Sequence, residues 1–137
     1  MNYIEPVNCV GVVVIRGDEV LIVRRRNPPN AGAWSIPGGR IEPDEDYEAA
    51  VHRELREETR IRAEIVGEIT EIDVEFDDVA YRLHDYAAIW TEGEPVAGDD
   101  ASEARFIHRA QVDDYISWDK TRDVIRDAFA MIPNAKI

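Results

Sequence analysis

The sequence predicts an α/β protein in which a mixed β-sheet is sandwiched between helices. Three observations carry this. Two apolar strand-like runs lie near the N-terminus, at 7–15 and 20–26. A helical stretch with a single apolar stripe follows a Gly-Gly turn at Gly38-Gly39. After it the order repeats, with two long strand-like segments, a short strand and a final amphipathic helix. Strands and helices that alternate in this way suit a sheet covered on both faces.

The elements are justified in order. Val7 to Ile15 is apolar nearly throughout, as in a strand buried on both faces. Gly17-Asp18 turns the chain into a second strand, Val20 to Arg26. Residues 27–33 form a loop by their Pro, Asn and Gly content, and Trp34 to Pro37 leads into the Gly-Gly turn. Asp44 is the expected N-cap of a helix that runs unbroken to Thr59. From Ile65 to Phe76 the pattern becomes alternating, with Ile72, Val74 and Phe76 on one face. Asp77-Asp78 turns this strand back into Val79 to Thr91. Ala104 to His108 is a short strand and Gln111 to Ile116 a short helix. Asp119 to Ile132 is a helix, with Ile125, Phe129 and Ile132 on one stripe and Pro133 as its stop. There is no repeat, linker or low-complexity tract, so residues 1–137 read as one domain.

Within the first helix the charges are out of phase with burial. With Glu54 at zero and ~100° per residue, Tyr47, Val51, Leu55 and Ala50 fall near ~20°, ~60°, ~100° and ~320°. Glu58 falls near ~40°, inside this stripe, and Glu57 near ~300°, at its edge. These carboxylates crowd the C-terminal end, where the helix dipole disfavours anions, and like charges four apart repel. A solvated acidic face accounts for Glu45, Glu48 and His52 but not for Glu54 and Glu58. Clustered carboxylate oxygens suit a hard cation, Mg²⁺ with Mn²⁺ as a substitute.

Composition narrows the partners. A formal charge of −13 argues against nucleic-acid duplexes and anionic membranes. Cys9 is the single cysteine, which excludes a disulfide framework and a thiolate zinc site and fits a reducing cytoplasm. The N-terminus lacks the pattern of a signal peptide, and no apolar stretch approaches transmembrane length. His52, His84 and His108 show no metal-ligand spacing and read as structural or solvated.

The segment Gly39 to Ile61 resembles the Nudix box. Gly39, five residues, Glu45, seven residues, Arg53-Glu54, Leu55, any residue, Glu57-Glu58, any residue and then Ile61 after position 60 reproduce its frame. The box glycine is replaced by Arg60, at a place where a left-handed residue normally ends the helix. The resemblance implies the α/β/α Nudix fold and metal-assisted attack of water on a diphosphate. It implies metal binding by Glu54, Glu57 and Glu58, joined by a backbone carbonyl of Gly38 or Gly39. Glu45 and Arg53 then hold the loop and helix together.

The segment from Gly98 to Phe106 resembles the stretch before the last strand of small Nudix hydrolases, where an acidic residue folds back to the metals. Glu103 is the first choice for this catalytic and metal-binding role, Asp100 the second, and Glu54 the alternative base. In the family an arginine at the end of the second strand reaches substrate phosphates, which points to Arg24 and Arg25. Trp34 is a candidate for stacking on a base, against a plain core role.

The implied substrate is a small nucleotide: a nucleoside diphosphate linked to another group, such as ADP-ribose or NADH. A proline that marks some ADP-ribose members is absent from Glu75-Phe76-Asp77-Asp78, and Tyr81 lies near a tyrosine of diadenosine-polyphosphate members. The alternatives are a house-cleaning nucleoside triphosphate pyrophosphohydrolase and a non-catalytic nucleotide-binding regulator. The related isopentenyl diphosphate isomerases need further Cys and Glu residues that Cys9 does not supply. Family members are often homodimers, so a homodimer is compatible with the resemblance.

Overall fold

The computed structural model describes residues 5–27, 30–98 and 100–133. Its elements are β1 (Val7–Arg16), β2 (Glu19–Arg25), β3 (Trp34–Ser35), β4 (Gly38–Arg40), α1 (Tyr47–Thr59), β5 (Arg62–Phe76), β6 (Val79–Glu92), β7 (Ala101–His108), α2 (Val112–Tyr115) and α3 (Asp119–Met131). The sheet runs β3-β2-β1-β6-β5, with β4 also paired to β1 and β7 to β2. β1 and β6 are parallel, and every other pair is antiparallel. This is the mixed α/β/α arrangement that the sequence predicts.

β1 shows why the sheet is covered twice. Val10, Val12 and Val14 pack with Ala50, Val51 and Leu55 of α1. Val13 and Ile15 pack on the other side with Val124, Ile125, Ala128 and Phe129 of α3. Successive strand residues face opposite sides, so an unbroken apolar run feeds two cores. The same alternation on β6 sends Tyr86 and Ala88 to the α1 side and Ala87 to the α3 side.

Several boundaries differ from the sequence reading. The N-cap of α1 is Asp46, not Asp44; Asp46 is extended, and its carboxylate accepts from the Ala49 N–H at 2.7 Å. Asp44 instead takes a positive φ of 66° in the approach loop. The Gly-Gly turn is itself a short strand, because Gly38 and Gly39 pair with Gly11 and Val10. A side chain at Gly38 is impossible, since a Cβ there lies 2.1 Å from the Val10 carbonyl oxygen. β2 stops at Arg25 rather than Arg26, β5 begins at Arg62, and β7 begins at Ala101, three residues before the expected start. The short helix after β7 opens as a 3₁₀ turn at Arg109–Gln111 before α2.

Arg60 occupies the left-handed conformation that the resemblance assigns to glycine (φ 63°, ψ 15°), and its N–H donates to the Arg56 carbonyl. The helix therefore ends where a glycine would end it, and the box carboxylates keep their places. A side chain with a Cβ is strained there. Arg60→Gly is expected to stabilise the fold by about 0.5–1 kcal/mol. The check is a higher urea midpoint at an unchanged slope.

Candidate active site

The site is built where α1 lies against β4. Arg53 organises it. Its Nε and Nη2 donate to the two Glu45 oxygens at 2.7 and 2.9 Å, and Nη2 also donates to the Arg40 carbonyl at 3.0 Å. The remaining nitrogen, Nη1, reaches Glu54 at 2.9 Å and Glu57 at 3.3 Å. Hydrogen bonds from Arg53 hold the Glu45 carboxyl down at about 2. The other Glu45 oxygen contact, from the Glu42 N–H at 2.9 Å, closes the loop before the helix.

Glu54 is only 13% exposed and lies against Gly39, where a Cβ would stand 2.6 Å from its Oε1. Burial raises its pKa against the opposing pull of Arg53. Glu58 is deeper. Its Oε2 accepts from the Gly38 N–H at 3.1 Å, yet burial, with Glu54 and Asp100 nearby, pushes its pKa up to about 8. Glu57, at 41% exposed, faces outward. Glu54 and Glu58 thus converge on the Gly38-Gly39 strand, while Glu57 stands further out and shares the Arg53 guanidinium with Glu54. Burial raises the carboxyls of Glu54 and Glu58, and Arg53 and Arg25 offset it only in part. An all-oxygen donor set short of positive charge fits Mg²⁺ or Mn²⁺.

The second acidic segment comes to the site by a backbone route. At the C-terminal end of α1 the Glu58 and Thr59 carbonyls accept from the Gly98 and Val96 N–H groups at 3.0 and 2.9 Å. These are carbonyls that a helix end leaves unsatisfied. The loop so anchored delivers Asp100, whose charge acts on both Glu54 and Glu58. Asp100 is further fixed by the Asn27 side-chain amide at 3.0 Å. Glu103, in contrast, sits inside β7 opposite Arg24, not in a loop. Its carboxylate meets Arg105 at 3.0 Å and Arg24 at 3.8 Å. Asp99 lies outside the described residues.

Of the two arginines, Arg25 approaches the box: its charge acts on Glu58, and it lines the adjoining cleft. Arg24 donates from Nε to the Gly32 carbonyl at 2.9 Å and pairs with Glu103. Trp34 is half-buried, edge-on to Tyr115 at 5.4 Å and under the Arg105 guanidinium, with part of its ring on the cleft.

That cleft has a volume of about 710 Å³ and runs from Gly39 and Arg25 to Phe76, Tyr81 and Trp118. Phe76 meets Tyr81 at 6.3 Å and Trp118 at 5.8 Å. Trp118 is 38% exposed, unusual for so large an apolar ring. A second recess shares its Gly39 end and reaches Asp85. Asp85 is buried, and burial raises its carboxyl to about 6. Gly11 makes room for it, since a Cβ there would lie 2.4 Å from Oδ1. Phe76, Trp118 and Asp85 were not singled out from sequence. Trp118 precedes a helix in a polar stretch, which is the one available signal.

The matches to known proteins agree with this fold. The NUDIX domain family model matches residues 5–128, and the chain belongs to the Nudix family. The ADP-ribose pyrophosphatase of Methanocaldococcus jannaschii is 29% identical over 131 residues, covering 85% of this chain and 76% of that protein. A putative 8-oxo-dGTP diphosphatase 2 of Mycobacterium tuberculosis is 36% identical over 95 residues, covering 66% of this chain and 65% of its own length. The NUDIX domain of Shewanella oneidensis NrtR, solved with ADP ribose, superposes with a TM-score of 0.80 at 22% identity, over 95% of this chain and 90% of that one. That likeness speaks for the fold.

The acidic cluster has a consequence for metal-free protein. Glu58 binds its proton more tightly folded than unfolded, so folded protein carries the extra proton between the ordinary value of 4.5 and about 8. Stability is then full at the acidic end of this window and falls as pH rises through it. Allowing for relaxation of the site, the loss is about 2–3 kcal/mol, or roughly 5–10 °C in Tm. Thermal melts in EDTA are expected to show this fall between pH 5 and 8, and Glu58→Gln to remove most of it.

Proposed function

We propose that this protein hydrolyses the phosphoric anhydride bond of a nucleoside diphosphate linked to another group, with ADP-ribose- or NADH-like substrates preferred. The observation that carries the reading is the junction at Gly39. Glu54 lies against Gly39, and Gly39 borders one end of a cleft whose other end is aromatic. A diphosphate at the Gly39 end would leave a base near Phe76, Tyr81 and Trp118.

Glu54, Glu57 and Glu58, with a carbonyl of Gly38 or Gly39, would hold Mg²⁺. Bound there, the ion would neutralise phosphate charge and acidify a water. Arg25 would contact a phosphate oxygen, with a forked donor set suited to it. Arg53 would keep Glu54 aimed at Gly39. Trp34 would border the base end of the cleft, and Arg24 would order the neighbouring loop through Gly32. The general base is proposed among Glu54, Asp100 and Glu103, and the charges around the box favour Asp100. A cytoplasmic setting is consistent with these substrates. A triphosphate pyrophosphohydrolase is the second reading, favoured by the mycobacterial relative's name.

The test is mass spectrometry of products after incubation with Mg²⁺ and a panel of ADP-ribose, NADH, diadenosine polyphosphates, nucleotide sugars and nucleoside triphosphates. AMP from ADP-ribose or NADH is expected. Pyrophosphate with a nucleoside monophosphate would select the second reading, and no product with Mg²⁺ or Mn²⁺ would leave a nucleotide-binding module. Glu57→Gln and Glu58→Gln are each expected to lower turnover by roughly a hundredfold or more, with the fold intact by circular dichroism.

Asp100→Asn is expected to lower kcat by about a hundredfold with KM little changed, and Glu103→Gln only a few-fold. The reverse order would assign the base to Glu103.

A further inference from the structure

We propose that Glu68, Glu71 and His84 form a second metal site, separate from the box and suited to Zn²⁺. One oxygen of each glutamate and a ring nitrogen of His84 lie within 4.8 Å of one another. His84 Nδ1 is 3.4 Å from Glu71 Oε1 and 3.7 Å from Glu68 Oε1. Ligand atoms around one zinc ion, each at about 2.0–2.2 Å from it, stand at comparable separations.

The imidazole itself points to a cation as its partner. His84 is 3% exposed, and its Nδ1 has no hydrogen-bond partner among the described residues. The other nitrogen, Nε2, lies 3.1 Å from the Asn8 side-chain oxygen, which accepts from it in the tautomer with the proton on Nε2. In that tautomer Nδ1 is a lone pair aimed at two anionic oxygens. A bare lone pair in that position is repelled, whereas a cation between the three atoms satisfies all of them. A histidine whose far N–H is held by a carbonyl is the usual support of a metal ligand. Tyr47 stacks on the ring at 4.1 Å and fixes its plane.

The strand is shaped to make this cluster. Residues three apart on a regular strand face opposite sides. In β5 the register shifts between Glu68 and Thr70, so Glu68 stands opposite Tyr86 and Glu71 opposite His84, on one face. A bulge re-aims a side chain in this way. Arg82 lies 3.9 Å from the other oxygen of Glu71 and pairs more closely with Asp73, at 2.9 Å. Tyr86 is buried beside Glu68, and burial together with that neighbouring charge raises its phenol. Mixed nitrogen and oxygen donors favour zinc over Mg²⁺, which suits the all-oxygen box. In the sheet the row Gly39, Val10, His84, Glu71 puts His84 two strands from the box, roughly 10 Å away. Bound zinc would tie β5 to β6 beside the start of α1.

The experiment titrates Zn²⁺ into the whole protein with Mg²⁺ saturating. Calorimetry gives the stoichiometry, and long-range ¹H–¹⁵N spectra follow the imidazole of His84. Zinc is expected to bind at one equivalent, to shift Nδ1 of His84 while Nε2 keeps its proton, and to raise Tm. Glu68→Gln and Glu71→Gln alter exposed side chains and should fold; each is expected to weaken zinc binding at least about tenfold and to abolish the Tm gain. Hydrolysis in Mg²⁺ should be unchanged in both. A His84 Nδ1 signal unmoved by zinc, or one that carries a proton zinc does not displace, would overturn the proposal and leave an imidazolium–carboxylate ion pair.

Discussion

Arg53 is the contact on which the geometry of the box depends. One guanidinium joins the loop before α1 through Glu45, the β4 backbone through the Arg40 carbonyl, and the last turns of the helix through Glu54 and Glu57. Its side chain and that of Glu45 are largely shielded from water. A pair so enclosed, with several hydrogen bonds, is costly to break from one side, because the partner is left charged and unpaired. The Gly38-Gly39 strand is the other half of the constraint. Any side chain there would strike the β1 backbone or the Glu54 carboxylate. Helix and strand thus approach closely enough to set Glu54 against Gly39 and Glu58 against Gly38.

The site accepts an energetic penalty that folding alone would avoid. Glu58 could have been apolar, since it continues the stripe of Val51 and Leu55. Burial instead drives it to keep a proton. Clusters of this kind are typical of places where a ligand supplies the missing charge. The end of the helix serves the same arrangement. Its unsatisfied carbonyls bind the 96–98 backbone, and that anchoring brings Asp100 to the box as part of closing the helix.

The sheet separates two kinds of chemistry by parity. On β6, Asp85 faces the recess on the α3 side, while its neighbours His84 and Tyr86 face α1. A one-residue slip would exchange them. Register between β1, β5 and β6 therefore decides which carboxyls line the cleft and which gather around His84.

The sequence by itself determined the layered α/β fold, nearly every element and the box. Those depend on local periodicity and on fixed spacing along one helix, and both survive whatever tertiary context surrounds them. Glu45 with Arg53, and the meeting of Glu54 and Glu58 with Gly38-Gly39, were legible through the resemblance to the Nudix box that this spacing carries. Tertiary structure decided the rest. Asp46 rather than Asp44 caps α1, because Asp44 sits in a left-handed turn before it. Strand pairing drew residues 101–103 into β7 and set Glu103 against Arg24, whereas the sequence reading placed Glu103 ahead of Asp100 for the role at the box. The cleft joins Phe76, Tyr81 and Trp118 from distant segments, and Glu68, Glu71 and His84 meet only through a bulge and a cross-strand pair. Such groupings have no fixed spacing in the chain, so only the folded register reveals them.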